Sequence, residues 1–302
     1  MHLDLILEHP FVKRSLSRLL PKRFRPEGIT IPVIRLQGAI MAGASQFRQH
    51  LSLSSTAGLI EKAFSFREAP AIAISINSPG GSPVQSRLIY RRIRDLAAEK
   101  NKTVLVFVED VAASGGYMIA LAGDEIIADP SSIVGSIGVV SASFGFQDLI
   151  KKIGVERRVH TAGQNKVTLD PFRPEKKEDV ERLKAIQLEV HETFINLVKE
   201  RRGAKLADHP DLFTGLFWTG LRGKELGLVD SIGDMRSYLR ERYGPKTRLQ
   251  LIAPQRGLLG RRLAFMGNGG SLIGPEIAAA AAAGIIDAAE EHALWQRYGL
   301  LE

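Results

Sequence analysis

The chain has 302 residues, seven histidines, no cysteine and a formal net charge of +8. Without cysteine it holds neither a disulfide framework nor a cysteine-based metal site. The hydrophobic content of 44% fills a sizeable core, and the basic balance suits anionic surfaces in general; but no basic stripe carries the interleaved aromatics of a single-strand binder, which argues against nucleic acid. No His or carboxylate cluster has metal-ligand spacing, so neither a metal nor a cofactor is expected.

From the N-terminus, Asp4, Glu8, His9 and Lys13 interrupt the apolar residues early, well short of the ~20 that a membrane-spanning helix needs. A cytoplasmic protein is therefore the default expectation. Lys13, Arg14, Arg18, Lys22, Arg23 and Arg25 alternate with Leu16, Leu19, Leu20 and Phe24. Such an arm can make weak peripheral contact with the inner, anionic face of a membrane, although a solvated or oligomer-contacting arm is the simpler reading. The division expected is an arm over 1–27, a main domain over 28–254, and a Gly-rich linker with an Ala-rich helix over 255–302.

Strands are predicted at Ile31–Leu36, Ala71–Ile76, Val104–Val108, Glu125–Ala128, Val139–Ala142 and Arg157–Thr161. The second is a near-continuous apolar run, as in a sheet covered on both faces. It ends in Asn77-Ser78-Pro79-Gly80-Gly81-Ser82-Pro83, a loop of the kind that binds ligands at the carboxyl ends of parallel strands. The third leads into Val111-Ala112-Ala113-Ser114-Gly115-Gly116-Tyr117 and a buried helix over Tyr117–Ala122. Ser114 thus stands at a helix start, where unpaired N–H groups favour an attacking oxygen and a developing oxyanion. One N–H from Gly80 or Gly81, with that of Gly115, can form a two-donor oxyanion hole. Asn77 reads as a turn or cap residue. Amphipathic helices are predicted at Gln85–Lys100, with Leu88, Ile89, Ile93 and Leu96 on one side, and at Glu175–Arg202, with Leu183, Ile186, Val190, Phe194 and Leu197 along one face.

A nucleophilic serine needs a base. His191 lies in a long helix at a solvated position, and His2, His9 and His292 lie in terminal segments. His160 remains an alternative. Lysine does the same work where burial or a neighbouring cation lowers its pKa, and Lys166 stands in a small, mostly uncharged stretch, Ala162 to Phe172.

Asn77-Ser-Pro-Gly-Gly, Ala113-Ser-Gly-Gly-Tyr, Val134-Gly-Ser-Ile-Gly-Val and the Gly163-x-x-Lys…Pro171-Phe stretch follow one another in this order. As a set they resemble the signal peptide peptidase A family, from about Gly28 to Pro254, in its single-unit form. The resemblance implies an α/β fold, the Clp protease/crotonase-like spiral of β-β-α units, and a serine endopeptidase with a Ser–Lys dyad. It makes Ser114 the nucleophile, Lys166 the general base, Ser136 the hydroxyl that holds and orients the lysine, and backbone N–H groups of Gly81 (or Gly80) and Gly115 the oxyanion donors. It also implies unfolded peptides or signal-peptide-like fragments as substrates, and a homo-oligomer with active sites near protomer interfaces. The segment Phe217–Gly233 resembles the family's closing helix and strand. Two other readings remain: an acyl-CoA enzyme of crotonase type, disfavoured because no acid falls within Ala112–Ala122, and a non-catalytic scaffold, disfavoured because Ser114 and Lys166 are both present.

Overall fold

The computed structural model describes residues 28–42, 50–253 and 292–299. Eight strands form one sheet: β1 (Thr30–Gln37), β2 (Ala71–Ser78), β3 (Thr103–Ala113), β4 (Glu125–Ala128), β5 (Ile133–Gly135), β6 (Phe217–Thr219), β7 (Ser231–Ile232) and β8 (Arg248–Leu251). The order β6-β5-β3-β2-β1-β8 is parallel except for the antiparallel β5–β6 pair. The long β3 is shared: residues 105–108 pair with β4, and 111–113 with β5. β4 carries β7 on its other side. This is an α/β spiral of the Clp protease/crotonase kind.

Helices cover both faces, which is why β2 is buried at every position. On one face Ile34, Leu36, Ile72, Ile74, Val104 and Val106 pack under α1 (Leu53–Phe64), α2 (Pro83–Lys100), α3 (Gly115–Ala120) and the C-terminal part of α5 (Lys177–Arg202). On the other, Ile31, Val33, Ala73, Leu105 and Phe107 meet Leu239 of α7 (Met235–Tyr243). The short helices α4 (Gln147–Lys152) and α6 (Gly220–Glu225) complete the set. Local signals start and stop these helices. Ser52 and Ser55 form a reciprocal capping box on α1. Ser82 caps α2 with Pro83 in its first turn, and Asn101 ends it at φ 48°. The Gln85 side chain accepts from Leu53 N–H at 2.9 Å, tying α1 to α2.

Several predicted elements differ. β3 does not stop at Val108. Ile76 pairs with Val108, but Ser78 pairs with Ala112, so residues 109–111 face the single Asn77. The bulge lets the strand run through Glu109-Asp110 up to Ser114. Asn77 fills it: its Oδ1 accepts from Val111 N–H at 3.2 Å and its Nδ2 donates to Asp110 at 2.5 Å. Val139–Ala142 and Arg157–Thr161 are not strands, because within this chain they have no strand edge to pair with. The edge of β3 at 111–113 is taken by β5, upstream of the expected strand. Leu88 is 40% exposed rather than buried beside Ile89 and Ile93, and Ile186 is 58% exposed. α5 is packed at Phe194 and Val198 but largely bare before them. α1, α4, α7 and β8 carried no expectation.

Among the described residues no helix is long and apolar enough to cross a membrane. The basic arm over 1–27, the glycines between 257 and 274 and the alanine run near 277–286 lie outside the described residues.

Candidate active site

β3 delivers Ser114 to a sharp bend. Its backbone has φ 52° and ψ −122°, and its hydroxyl makes no capping bond to α3. A positive φ at a non-glycine residue is a strained state held by its surroundings. Here the surroundings are the β5 terminus, whose Gly135 carbonyl accepts from Ser114 N–H at 2.8 Å, and the first turn of α3, where Met118 N–H bonds back to Ser114 O at 3.0 Å. The strain turns a half-buried hydroxyl out of the sheet end instead of letting it cap the helix.

The glycine-rich loop after β2 lies directly against this bend. A Cβ on Gly80 would come within 2.8 Å of Ser114 Cβ and 2.9 Å of Gly115 N, and one on Gly115 within 2.4 Å of Ser86 Oγ. Only glycine permits this approach. That Gly115 Cβ position is 3.4 Å from Gly81 N, so the Gly81 amide lies against Gly115. Gly80 N–H bonds to Ser78 Oγ at 3.3 Å. Among the described residues no acceptor is recorded for Gly81 N–H, and Gly115 N–H belongs to the unpaired first turn of α3. The loop itself is held by Ile40: Gly80 O accepts from Ile40 N–H at 2.8 Å, and Ser82 N–H donates to Ile40 O at 2.7 Å.

Ser136 is buried and also has φ 52°, with its N–H bonded to Leu216 O at 2.8 Å. The Ser114–Gly135 bond makes it a neighbour of Ser114. The structure therefore brings together Ser114, Ser136, Gly80, Gly81 and Gly115. It does not bring Lys166 to them. Lys166 is exposed, its N–H directed to Gly163 O at 3.3 Å, and it does not line the groove at Ser114. His160 is exposed in the same irregular stretch. His191 is not merely solvated: its Nε2 lies 2.9 Å from Ile137 O, joining α5 to the Ser136 turn.

The groove beside Ser114 has a volume of about 320 Å³ and apolar walls from Met118, Val140, Val190 and Phe194. Tyr117, adjacent in sequence, is instead fully buried with its hydroxyl donating to Leu228 O at 2.8 Å. Burial pushes the phenol far above its ordinary pKa, so it is a structural donor. Sequence reasoning did not single out Leu294, Arg297 and Tyr298. The first two line the groove, and the Tyr298 hydroxyl donates to Ser136 Oγ at 3.2 Å and lies 3.4 Å from Pro79 O. Separations of 162 and 219 residues leave no local pattern from which that contact is readable. Among the described residues no group of three or more His, Asp or Glu side chains is placed to hold a metal ion.

Residues 97–243 match peptidase family S49. A protein of Brucella abortus named Na(+)/H(+) antiporter NhaA is 69% identical over 286 residues, 94% of this chain but 39% of that protein. The serine protease SPPA of Arabidopsis thaliana chloroplasts is 34% identical over 213 residues, 68% of this chain and 31% of that one. A putative protease of Methanocaldococcus jannaschii is 35% identical over 170 residues, 56% and 54% of the two chains. The chain thus spans about two fifths of the length of its Brucella relatives. More than half of each of those proteins lies outside the match.

Proposed function

Residues 97–243 place the chain in peptidase family S49, and from that premise we propose that it is a serine endopeptidase with a Ser114–Lys166 dyad, acting on unfolded peptides or signal-peptide-like fragments. The observation that carries the reading is the strained Ser114 bend, with its hydroxyl uncapped and the Gly81 amide lying against Gly115.

The neutral Lys166 amine removes the Ser114 Oγ proton as the oxygen attacks the scissile carbonyl. The Gly81 and Gly115 N–H groups receive the oxyanion; a single donor of this kind is worth about 10²–10³ in turnover. Collapse of the tetrahedral intermediate breaks the C–N bond, and the Lys166 ammonium gives its proton to the leaving amine. Water, deprotonated by the same amine, then hydrolyses the acyl-enzyme. The Ser136 hydroxyl accepts from the ammonium and orients it.

Lys166 reaches Ser114 from a neighbouring copy. Within one chain it is exposed and away from the groove, and the segment leading to it exposes Val140, Phe144, Leu149, Ile153 and Val155. A row of large apolar side chains left in water marks a contact surface.

Hydrolysis of an unfolded protein and a fluorogenic peptide tests both steps. Ser114→Ala and Lys166→Arg each abolish turnover at unchanged assembly, since a guanidinium has no removable proton. Mixed oligomers of the two variants regain activity, because some sites then pair an intact serine with an intact lysine. Full activity in either variant alone removes that residue from the mechanism. Mixtures that stay silent while the wild type turns over place the dyad within one chain.

A further inference from the structure

His191 has no part in the proposed dyad, yet its ring reaches the turn that carries Ser136. Val190 and Phe194 of α5 line the groove, as do Gly138, Val139 and Val140 after β5. His191 stands on α5 between the first two, and its Nε2 lies 2.9 Å from Ile137 O. A carbonyl oxygen only accepts, so Nε2 carries the proton and donates it. Ile137 is fully buried, and its carbonyl needs a donor inside the protein. Just beyond it the chain leaves the core, since Val139 and Val140 are exposed.

The bond acts on a single peptide unit. The Ile137 carbonyl and the Gly138 N–H belong to one planar group, and Gly138 N–H donates to Ser136 O at 2.9 Å. His191 thus holds one end of a peptide whose other end closes a tight turn on Ser136. Ser136 needs that support. Its φ of 52° is strained for a residue with a Cβ and persists only where its neighbours over-determine it. Upstream, Ser136 N–H is bonded to Leu216 O at 2.8 Å, and Gly135 O is tied to Ser114 N–H. His191 supplies the downstream anchor. With the peptides on both sides held, the direction of the Ser136 Cβ is set.

We infer that His191 is a positioning residue for the peptidase reaction: by gripping the Ile137–Gly138 peptide it holds Ser136 in the backbone conformation that presents its hydroxyl to the base. The inference rests on the reading of Ser114 as nucleophile and of Ser136 as the group that orients Lys166. His191 bonds to Ile137 and not to a reacting group, so its effect passes through Ser136. Without that bond the Ser136 backbone relaxes toward negative φ and its hydroxyl turns away. A catalytic group misplaced by about 1 Å costs on the order of 10²-fold in rate; a turn that keeps its two upstream bonds moves less, and the loss expected is about tenfold in kcat. Substrate still meets Met118 and Phe194 in the groove, so KM changes by less than about threefold.

The test measures kcat and KM on a fluorogenic peptide for the full chain and for its His191→Leu, His191→Asn, His191→Gln, Ser136→Ala and Ser114→Ala variants, with oligomer size checked for each. A glutamine carries its amide nitrogen where histidine carries Nε2, and an asparagine carries it one bond short. His191→Leu and His191→Asn are expected to lose about tenfold in kcat, and His191→Gln to regain most of it. A bond that only stabilises the fold lowers the urea midpoint and leaves the kcat of the assembled enzyme unchanged, which overturns the inference. A rise in KM at constant kcat assigns the bond to the groove wall and overturns it too. Added to Ser136→Ala, His191→Leu is expected to cost less than about a further twofold, because the two residues act as one unit; losses that multiply in full overturn the inference. Should His191→Leu fail to assemble, the comparison of His191→Asn with His191→Gln decides. Failure of the underlying reading looks different. Ser114→Ala or Ser136→Ala then stays fully active, whereas failure of the His191 inference leaves both impaired and His191→Leu at the kcat of the unaltered chain.

Discussion

At the scale of single residues, the site depends on how Asn77 accommodates a mismatch between two strands. β3 carries two more residues than β2 between their last paired positions, and without a filler the Val111 N–H is a buried, unpaired donor. The Asn77 amide supplies an acceptor there and a donor to Asp110. Asn77→Ala removes both, and an orphaned buried donor costs about 2 kcal/mol. Urea denaturation of the variant should show a loss of that size, and a loss under half of it would mean that water replaces the amide. Peptide turnover should fall too, because the bulge sets the height of Ser114 above the sheet. The close approach of Ser114 to its neighbouring glycines was legible in the sequence, because small residues beside a serine leave few alternatives where backbone meets backbone. The role of Asn77 was not: a residue after a strand reads as a turn unless the register of the neighbouring strand is known. Tyr298 was illegible for the same reason at longer range.

At the scale of elements, periodicity found the strands and helices that are buried in this chain and misjudged those that are not. β1, β2, β4 and α2 fall close to where apolar runs and caps place them, since burial on both faces or one face imprints its own period. Val139–Ala142 and Arg157–Thr161 have strand-like composition but no partner edge, and a strand without a ladder is not a strand. The first half of α5 is helical as its periodicity predicts, but it is bare. Ile186 continues its apolar stripe into solvent, a pattern that a second copy would complete in the proposed assembly. Ile153→Glu distinguishes the two uses of an apolar side chain. Its position is 63% exposed, so the fold of one chain changes by no more than about 0.5 kcal/mol. Assembly and peptide hydrolysis, by contrast, should both fall. Native mass spectrometry showing wild-type assembly for Ile153→Glu would free this segment of any interface role.

At the scale of the whole molecule, the stretch from the end of α5 to α7 is fastened to the sheet by charge. Asp230 stands before β7, where it accepts from Arg202 of α5 at 2.8 and 3.1 Å, from Lys205 at 2.6 Å and from Ile126 N–H of β4 at 2.7 Å. Glu125, one residue earlier on β4, receives Tyr238 and Arg242 of α7. Burial alone would raise both carboxyl groups, but the hydrogen bonds and cations outweigh it and hold each below the usual carboxylate range. A carboxylate whose folded pKa is depressed stabilises the fold at every pH above its unfolded value, about 4. That contribution drains away as acid carries the pH down through the lower folded value, because the folded state must then take up protons it resists. Stability measured by denaturant should therefore be level from neutrality to about pH 5 and decline below it. Asp230→Asn leaves the Arg202 guanidinium, 3% exposed, without its counter-charge. Stranding a buried ion in this way costs about 3 kcal/mol. The variant should lose that much at pH 7 and show a shallower acid decline than the wild type, since one of the two titrating anchors is gone. An Asp230→Asn chain as stable as wild type at pH 7 would mean that Arg202 finds water instead. The junction of α5, β4 and β7 would then be held by packing of Leu226, Leu228 and Val229 rather than by charge.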